Sequence, residues 1–318
     1  MVDKEKTVEK IVEEERHRLL VSRKFLKYIV RFFYYEQILP RTVDETTALL
    51  AKYCYLLIRQ VDDVADGDNV FFPDDFRRSK YLRAVQFWLL TDEKKLLRAD
   101  SKELSLEQPY ILPLYAEALR LFAKKGIHED IVRGLFQEAI NPIIVDYNRT
   151  TSDSEKHVLT QVDLEQHFYD SFAATVDMMF ISMGEDLRVD DLPVLSYGQG
   201  LISSLSNLKK DWQRGVKNIP MHILNGAKVL PESTYEEVIN NERILKYFLF
   251  QIHKLKPQLK QARVKIKELK HPESRRMANH ILNNIVGTLL VQEVKMRWRL
   301  SRVQGNSSGK ESQQESSL

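Results

Sequence analysis

Apolar residues along this chain recur at three- and four-residue spacing, the period of a helix buried on one side. The clearest run follows Leu39-Pro40. Leu49, Leu50, Tyr53, Leu56, Leu57 and Val61 fall on one face, and the pattern predicts a helix running to about Asp66. Thr42 followed three residues later by Glu45 predicts a capping box at its start. Gly67-Asp68-Asn69 supplies turn chemistry at its end. The same period predicts further helices near residues 23–38, 74–90, 110–124, 129–149, 162–184, 192–214, 233–255 and 273–300. No window alternates with period two, and no segment repeats at solenoid spacing. Most of the prolines fall at breaks between these stretches, where a first helical turn tolerates them.

Composition sharpens that picture. The 318 residues hold 11 glycines and 10 prolines, well below the roughly 12% of average usage, which disfavours a turn-rich sandwich or barrel. The joining segments are short and polar, and none has the character of an interdomain linker. The expected fold is therefore all-α, one helical domain over residues 1–302. From about Val303 the chain turns Ser-, Gln- and Gly-rich, with no large apolar residue before Leu318. Such a segment cannot bury enough surface to offset its ordering entropy, so 303–318 is expected to be a disordered tail.

Charge and cysteine usage exclude several classes. Against 48 basic residues stand 45 acidic ones, a net charge of +3, too small for nucleic acid as the main partner. Cys54 is the single cysteine, which excludes a disulfide framework and a cysteine-based zinc site. No apolar run approaches the roughly 18–20 residues of a spanning helix. The charged N-terminus lacks the apolar core of a secretory signal. A soluble, cytoplasmic protein is expected. Asn148-Arg-Thr and Asn306-Ser-Ser match the glycosylation pattern, and without a signal they are read as chance.

Two constellations carry candidate chemistry. In Arg59-Gln-Val-Asp62-Asp63-Val-Ala-Asp66, Asp62 and Asp66 stand one helical turn apart, with Asp63 beside them. Three like charges repel unless a cation sits among them, and acids are disfavoured at a helix C-terminus. Carboxylates at that spacing suit Mg²⁺, which takes a few carboxylates, keeps waters and shares the rest with substrate phosphates. The second constellation is Ser203-x-x-x-Asn207-x-x-x-Asp211, three oxygen-bearing side chains on one stripe, with Lys209, Lys210 and Arg214 as neutralising cations. Two such helices facing one another would hold Mg²⁺ and a diphosphate between them. The alternative reading of each is a solvated helix face.

The run Phe32-Phe-Tyr-Tyr-Glu-Gln-Ile-Leu39-Pro40, followed by Tyr55-x-x-x-Arg59-x-x-Asp62-Asp63-x-x-Asp66, resembles the opening of the squalene/phytoene synthases. Asn207-Leu-Lys-Lys-Asp211-Trp-Gln-Arg-Gly215, running on to Pro220, is similar to that family's second aspartate motif. Asp146, Tyr169 and Ala173–Asp177 fall between, in the expected order. The second motif admits two registers: either Gly215 replaces the second Asp, or Asn207 replaces the first. Arg31, Glu36 and Asp177 also depart from the family's usual residues.

The resemblance implies a class I terpenoid-synthase-type bundle with a central cavity. It further implies a Mg²⁺-dependent prenyltransferase that joins two prenyl diphosphates, farnesyl or geranylgeranyl, head to head. Asp62, Asp63, Asp66, Ser203, Asn207 and Asp211 would hold the metal. Phe32, Arg59, Tyr169, Lys210 and Arg214 would bind substrate, and Tyr55 would handle a proton beside Asp62, Asp66 and Arg59. NADPH would follow only in a squalene-type member, and the chain has no dinucleotide fingerprint. Two alternatives remain open: a terpene cyclase ionising one diphosphate, and a catalytically silent homologue acting as an assembly or binding factor. The cationic run His253–Lys270 suggests peripheral membrane contact or simply an exposed helix. Phe32–Tyr35 and Met178, Met179, Phe180 and Met183 would line a hydrocarbon pocket or a core, and no histidine is assigned a ligand role.

Overall fold

The computed structural model describes residues 9–10, 12–14, 39–68, 72, 74–90, 111–151, 158–230 and 232–315, and every regular element among them is helical. The sequence pattern over 23–38, with Phe32, lies outside the described residues. The chain groups into two compact helical units, one of 1–144, 177–186 and 271–274, the other of 145–176, 187–270 and 275–318. Their segments interleave along the sequence, so neither corresponds to one continuous stretch.

The first unit contains α1 (Glu45–Ala65), α2 (Asp75–Leu90), α3 (Ile111–Lys124) and the opening of α4 (Glu129–Thr151). The end of α5 (Gln161–Ser182) also belongs to it. α1 packs chiefly on α3, with α2 alongside. The predicted apolar stripe is the reason: Leu50, Leu56, Leu57 and Val61 are buried, as are Leu114, Ala118, Leu121 and Phe122 of α3. Each fully buried side chain of this size contributes about 1.5–3 kcal/mol. Cys54 lies within this core, and burial pushes its thiol up to about 12, so it remains protonated.

α1 begins differently from the sequence expectation. Asp44, not Thr42, is the N-cap, its carboxylate accepting from the Thr47 amide at 3.1 Å and the Thr47 hydroxyl at 2.7 Å. Leu39–Arg41 forms a 3₁₀ turn, and the Thr42 hydroxyl is spent on the Leu39 carbonyl at 2.8 Å. Burial would raise the Asp44 carboxyl, but hydrogen bonds from Lys125 and Thr47 outweigh it and hold it below the usual range. An ionised cap is worth more at the positive end of the helix dipole.

The second unit contains the remainder of α4 and α5, then α6 (Pro193–Gln213), α7 (Met221–Ala227), α8 (Tyr235–Ile239) and α9 (Glu242–Lys265). It ends with α10 (Pro272–Glu315), apart from that helix's first turn. Ile244, Leu245, Phe248, Ile252 and Leu255 of α9 are buried, together with Leu282 and Ile285 of α10. At Gly200 any Cβ would collide with the Phe168 backbone, so glycine there permits the close approach of α5 and α6. The helix expected over 233–255 is two: Asn240 ends α8, and Asn241 caps α9 by accepting from the Arg243 and Ile244 amides. Pro142 and Pro257 lie inside α4 and α9 instead of at breaks. The backbone of α10 continues to Glu315, past residue 302.

Candidate functional site

From Tyr53 onward α1 is buried except along one half-open stripe, made of Tyr55, Ile58, Arg59, Asp62 and, at the C-cap, Asp66. Four of these five are residues the sequence singled out. The stripe ends where α1 ends. Asp66 is the C-cap and Gly67 takes φ 69°, with the Gly67 amide on the Val64 carbonyl and the Asp68 amide on the Asp63 carbonyl at 3.1 and 2.9 Å. This 5→2 and 6→1 pairing satisfies the last carbonyls of the helix and requires the left-handed residue after its end.

Arg59 changes how the three acids are to be understood. One terminal nitrogen of its guanidinium ion-pairs with Asp62 and the other with Asp63. The cation expected among the carboxylates is thus supplied by the chain itself. Asp63 is 2% exposed and Asp62 37%. A buried carboxylate bound by a fork-shaped guanidinium is a fixed structural group, whereas the carboxylates of Asp62 and Asp66 are partly open to solvent.

The α1 acids suit Mg²⁺ only as an open site. Among the described residues no three acidic, His or Cys side chains converge to hold a metal by themselves. Asp62 and Asp66, one turn apart and both accessible, fit a Mg²⁺ ion that takes one or two carboxylates and completes its shell with water and substrate phosphate. A closed, all-protein site does not fit, and Asp63 is held by Arg59.

The second motif lies on α6, in the other unit, and has its own half-open stripe. Ser203, Asn207, Lys210, Asp211 and Arg214 are all partly exposed, while Ile202, Leu205, Leu208 and Trp212 are buried. The Asn207 amide donates to the Ser203 hydroxyl at 3.4 Å. α6 ends as α1 does. Gly215 has φ 91°, its amide reaches the Trp212 carbonyl, and the Val216 amide reaches the Asp211 carbonyl at 2.9 Å. Position 215 therefore lies beyond the helix, where a side chain could not continue the Asn207–Asp211 stripe.

Sequence reasoning missed the buried network behind Asp211. Arg149 of α4, 4% exposed, donates to Asp146 at 2.9 Å, to the Asn218 side chain at 3.0 Å and to the Lys217 carbonyl at 2.9 Å. Asn218 in turn donates to the Asp211 carboxylate at 3.4 Å. His167 of α5 approaches Asp146 at 3.1 Å. Burial alone would raise the Asp146 carboxyl, yet the hydrogen bond and charge of His167, with the Arg149 charge, hold it below the usual range. Lys217 donates to the Trp212 carbonyl at 2.7 Å and lies 3.8 Å over that ring, and burial lowers its ammonium to about 8. The signal in the sequence is Asp146 and Arg149 at i, i+3 on α4.

Tyr169 bonds through its hydroxyl to Asp190 and through its carbonyl to Ser196; both contacts stay within the second unit. Of the predicted residues, α1 therefore brings together Tyr55, Arg59, Asp62, Asp63 and Asp66, and α6 brings together Ser203, Asn207, Lys210, Asp211 and Arg214. No family model, curated protein or solved structure matches this chain.

Proposed function

We propose that the chain is a Mg²⁺-dependent prenyltransferase of the squalene/phytoene type, condensing two prenyl diphosphates head to head with loss of diphosphate. One observation carries the reading: the charged and polar residues of both motifs, Arg59, Asp62 and Asp66 on one helix and Asn207, Lys210, Asp211 and Arg214 on the other, are half-buried beside the apolar cores of their helices, at the C-terminal ends of α1 and α6. A merely solvated face would be open, and a core face would be apolar.

On this reading Asp62 and Asp66 are the diphosphate-binding acids of the α1 stripe, and Asn207 and Asp211 are the corresponding groups of the α6 stripe. Mg²⁺ would supply the charge that stabilises the departing diphosphate. Arg59 fixes Asp62 and Asp63 and brings a cation to the stripe, while Lys210 and Arg214 add positive charge at the end of α6. Asn207 offers a neutral oxygen where a carboxylate would bind the ion more strongly. Tyr55, one turn before Arg59, is the proton-handling residue in this scheme.

The test is stoichiometric. Purified protein is incubated with Mg²⁺ and farnesyl or geranylgeranyl diphosphate, and released diphosphate is measured against extracted hydrocarbon by mass spectrometry. Condensation releases two diphosphates per product. One diphosphate per cyclic product would identify a terpene cyclase. Absence of any product from the folded protein with either substrate would overturn the reading in favour of a catalytically silent homologue acting as an assembly or binding factor.

A further inference from the structure

The second unit carries an apolar surface that the prenyl chemistry does not use. On α10, Leu290, Val291, Val294 and Trp298 are 54, 54, 67 and 57% exposed. Their three- and four-residue spacing makes them one outward stripe, while Leu282, Ile285, Leu289 and Met296 of the same helix are buried. On α9, Phe250 is 63% exposed and stands one turn before His253. The His253 ring nitrogen lies 3.0 Å from the Glu293 carboxylate on α10, which also accepts from Lys256 at 2.8 Å and Arg297 at 2.9 Å. Phe250 thus belongs to the α9 edge that is tied to α10 beside the stripe.

The rim of this surface is cationic. Between Asn283 and Gln304 the sequence places Lys295, Arg297, Arg299 and Arg302, with Glu293 as the single acid, and that acid is already engaged by three basic groups. The Arg302 guanidinium lies 4.8 Å over the Trp298 ring. Along α9, Lys246, Lys254 and Lys256 are paired with Glu242, Glu165 and Glu293, so the cationic character of the rim comes from α10. A second copy of the chain would oppose these cations to themselves across a two-fold axis, a like-charge juxtaposition that disfavours association. An anionic bilayer accepts both features, because its headgroups attract the rim and its acyl boundary takes the aliphatic and indole side chains.

We propose that Phe250 of α9 and Leu290, Val291, Val294 and Trp298 of α10 form a docking surface for an anionic lipid bilayer. The protein rests on the interface and does not cross it; no helix among the described residues is long and apolar enough to span. α10 supplies the cationic rim and most of the apolar contact. This proposal does not depend on the prenyltransferase reading.

Full-length protein is sedimented with vesicles of phosphatidylcholine, with or without phosphatidylserine. It is expected to pellet with the anionic vesicles only, and less as salt is raised. Val294→Asp, Trp298→Ser and the pair Lys295→Glu with Arg302→Glu should each lower the bound fraction by about tenfold, the effect of one to two lost anchors. Val162→Asp, at an exposed apolar position on α5, should leave binding unchanged. All positions are exposed, so circular dichroism and melting should match the parent. Absence of binding to phosphatidylserine vesicles at low salt would overturn the proposal. So would equal binding by the α10 variants and the parent, or a dimer in light scattering that Val294→Asp splits.

Discussion

Arg149 and Asn218, 69 positions apart in sequence, are joined by a buried 3.0 Å hydrogen bond from guanidinium to side-chain amide oxygen, and Asn218 hands the contact on to Asp211. Removing the guanidinium would leave the half-exposed Asp146 without its permanent cation, and the buried Asn218 and Lys217 oxygens without a donor. Arg149→Met is therefore expected to destabilise the protein by about 2–3 kcal/mol, the range for leaving buried polar groups unsatisfied. Chemical denaturation measures this. A loss under about 1 kcal/mol would mean that the network adds little.

The three acids of α1 should separate into two classes. Asp62→Asn and Asp66→Asn are expected to abolish Mg²⁺-dependent diphosphate release while changing stability by no more than about 1 kcal/mol, as for partly exposed ion pairs. Asp63→Asn should instead lower stability by about 2–3 kcal/mol, because Arg59 loses its buried partner. Melting curves without metal, set beside diphosphate-release assays, check both halves. Full turnover by Asp62→Asn and Asp66→Asn with Mg²⁺ still required would place the metal elsewhere.

Glu293 makes stability depend on acid. Hydrogen bonds from Lys256 and His253 outweigh the cost of burial and, with Arg297, depress its carboxyl to about 2. A group depressed on folding contributes stability fully present above its unfolded value near 4.5, and loses it as pH falls towards 2. The parent melting temperature should therefore fall more steeply than that of Glu293→Gln between pH 5 and pH 2. Parallel curves for the two proteins would show that the cluster contributes nothing.

Replacing glycine is expected to cost more at 67 than at 215, although both positions are left-handed. Gly215→Ala meets no atom within 4 Å, so its cost is conformational, about 1–2 kcal/mol for a side chain in left-handed backbone. Gly67→Ala adds a collision with the Arg78 guanidinium and should cost more unless that flexible side chain swings aside. Denaturation of the two variants side by side gives the difference.

Much of this was legible because local chemistry decided it. The α1 stripe and its glycine stop follow from spacing and turn residues alone, and the α6 stripe follows from Ser203, Asn207 and Asp211 at i, i+4 and i+8. Where competing local options existed, the sequence pointed to the wrong one. Thr42 and Asp44 both suit an N-cap, and the charged side chain that also reaches Lys125 takes it. The break at Asn240–Asn241 is hidden because apolar periodicity runs straight across it. Pro142 and Pro257 are tolerated within helices held by tertiary burial. The Arg149–Asn218 bond was unreadable, since its partners come together only through the fold. So was the role of Arg59, whose charge had to be seen between Asp62 and Asp63.

The twin endings of α1 and α6 give the chain a grammar of its own. Asp63-Val-Ala-Asp-Gly67 and Asp211-Trp-Gln-Arg-Gly215 share an Asp-x-x-x-Gly spacing in which the aspartate carbonyl receives the first amide beyond the glycine. The backbone under each carboxylate is thereby clamped by the residue that stops the helix. In a library of every single substitution, replacements at both glycines should be depleted, with Asn the least so. Tolerance should return abruptly at the intervening exposed position Gln213. Distant kin of this chain would then be found by that punctuation, twice in one sequence, where overall similarity has faded.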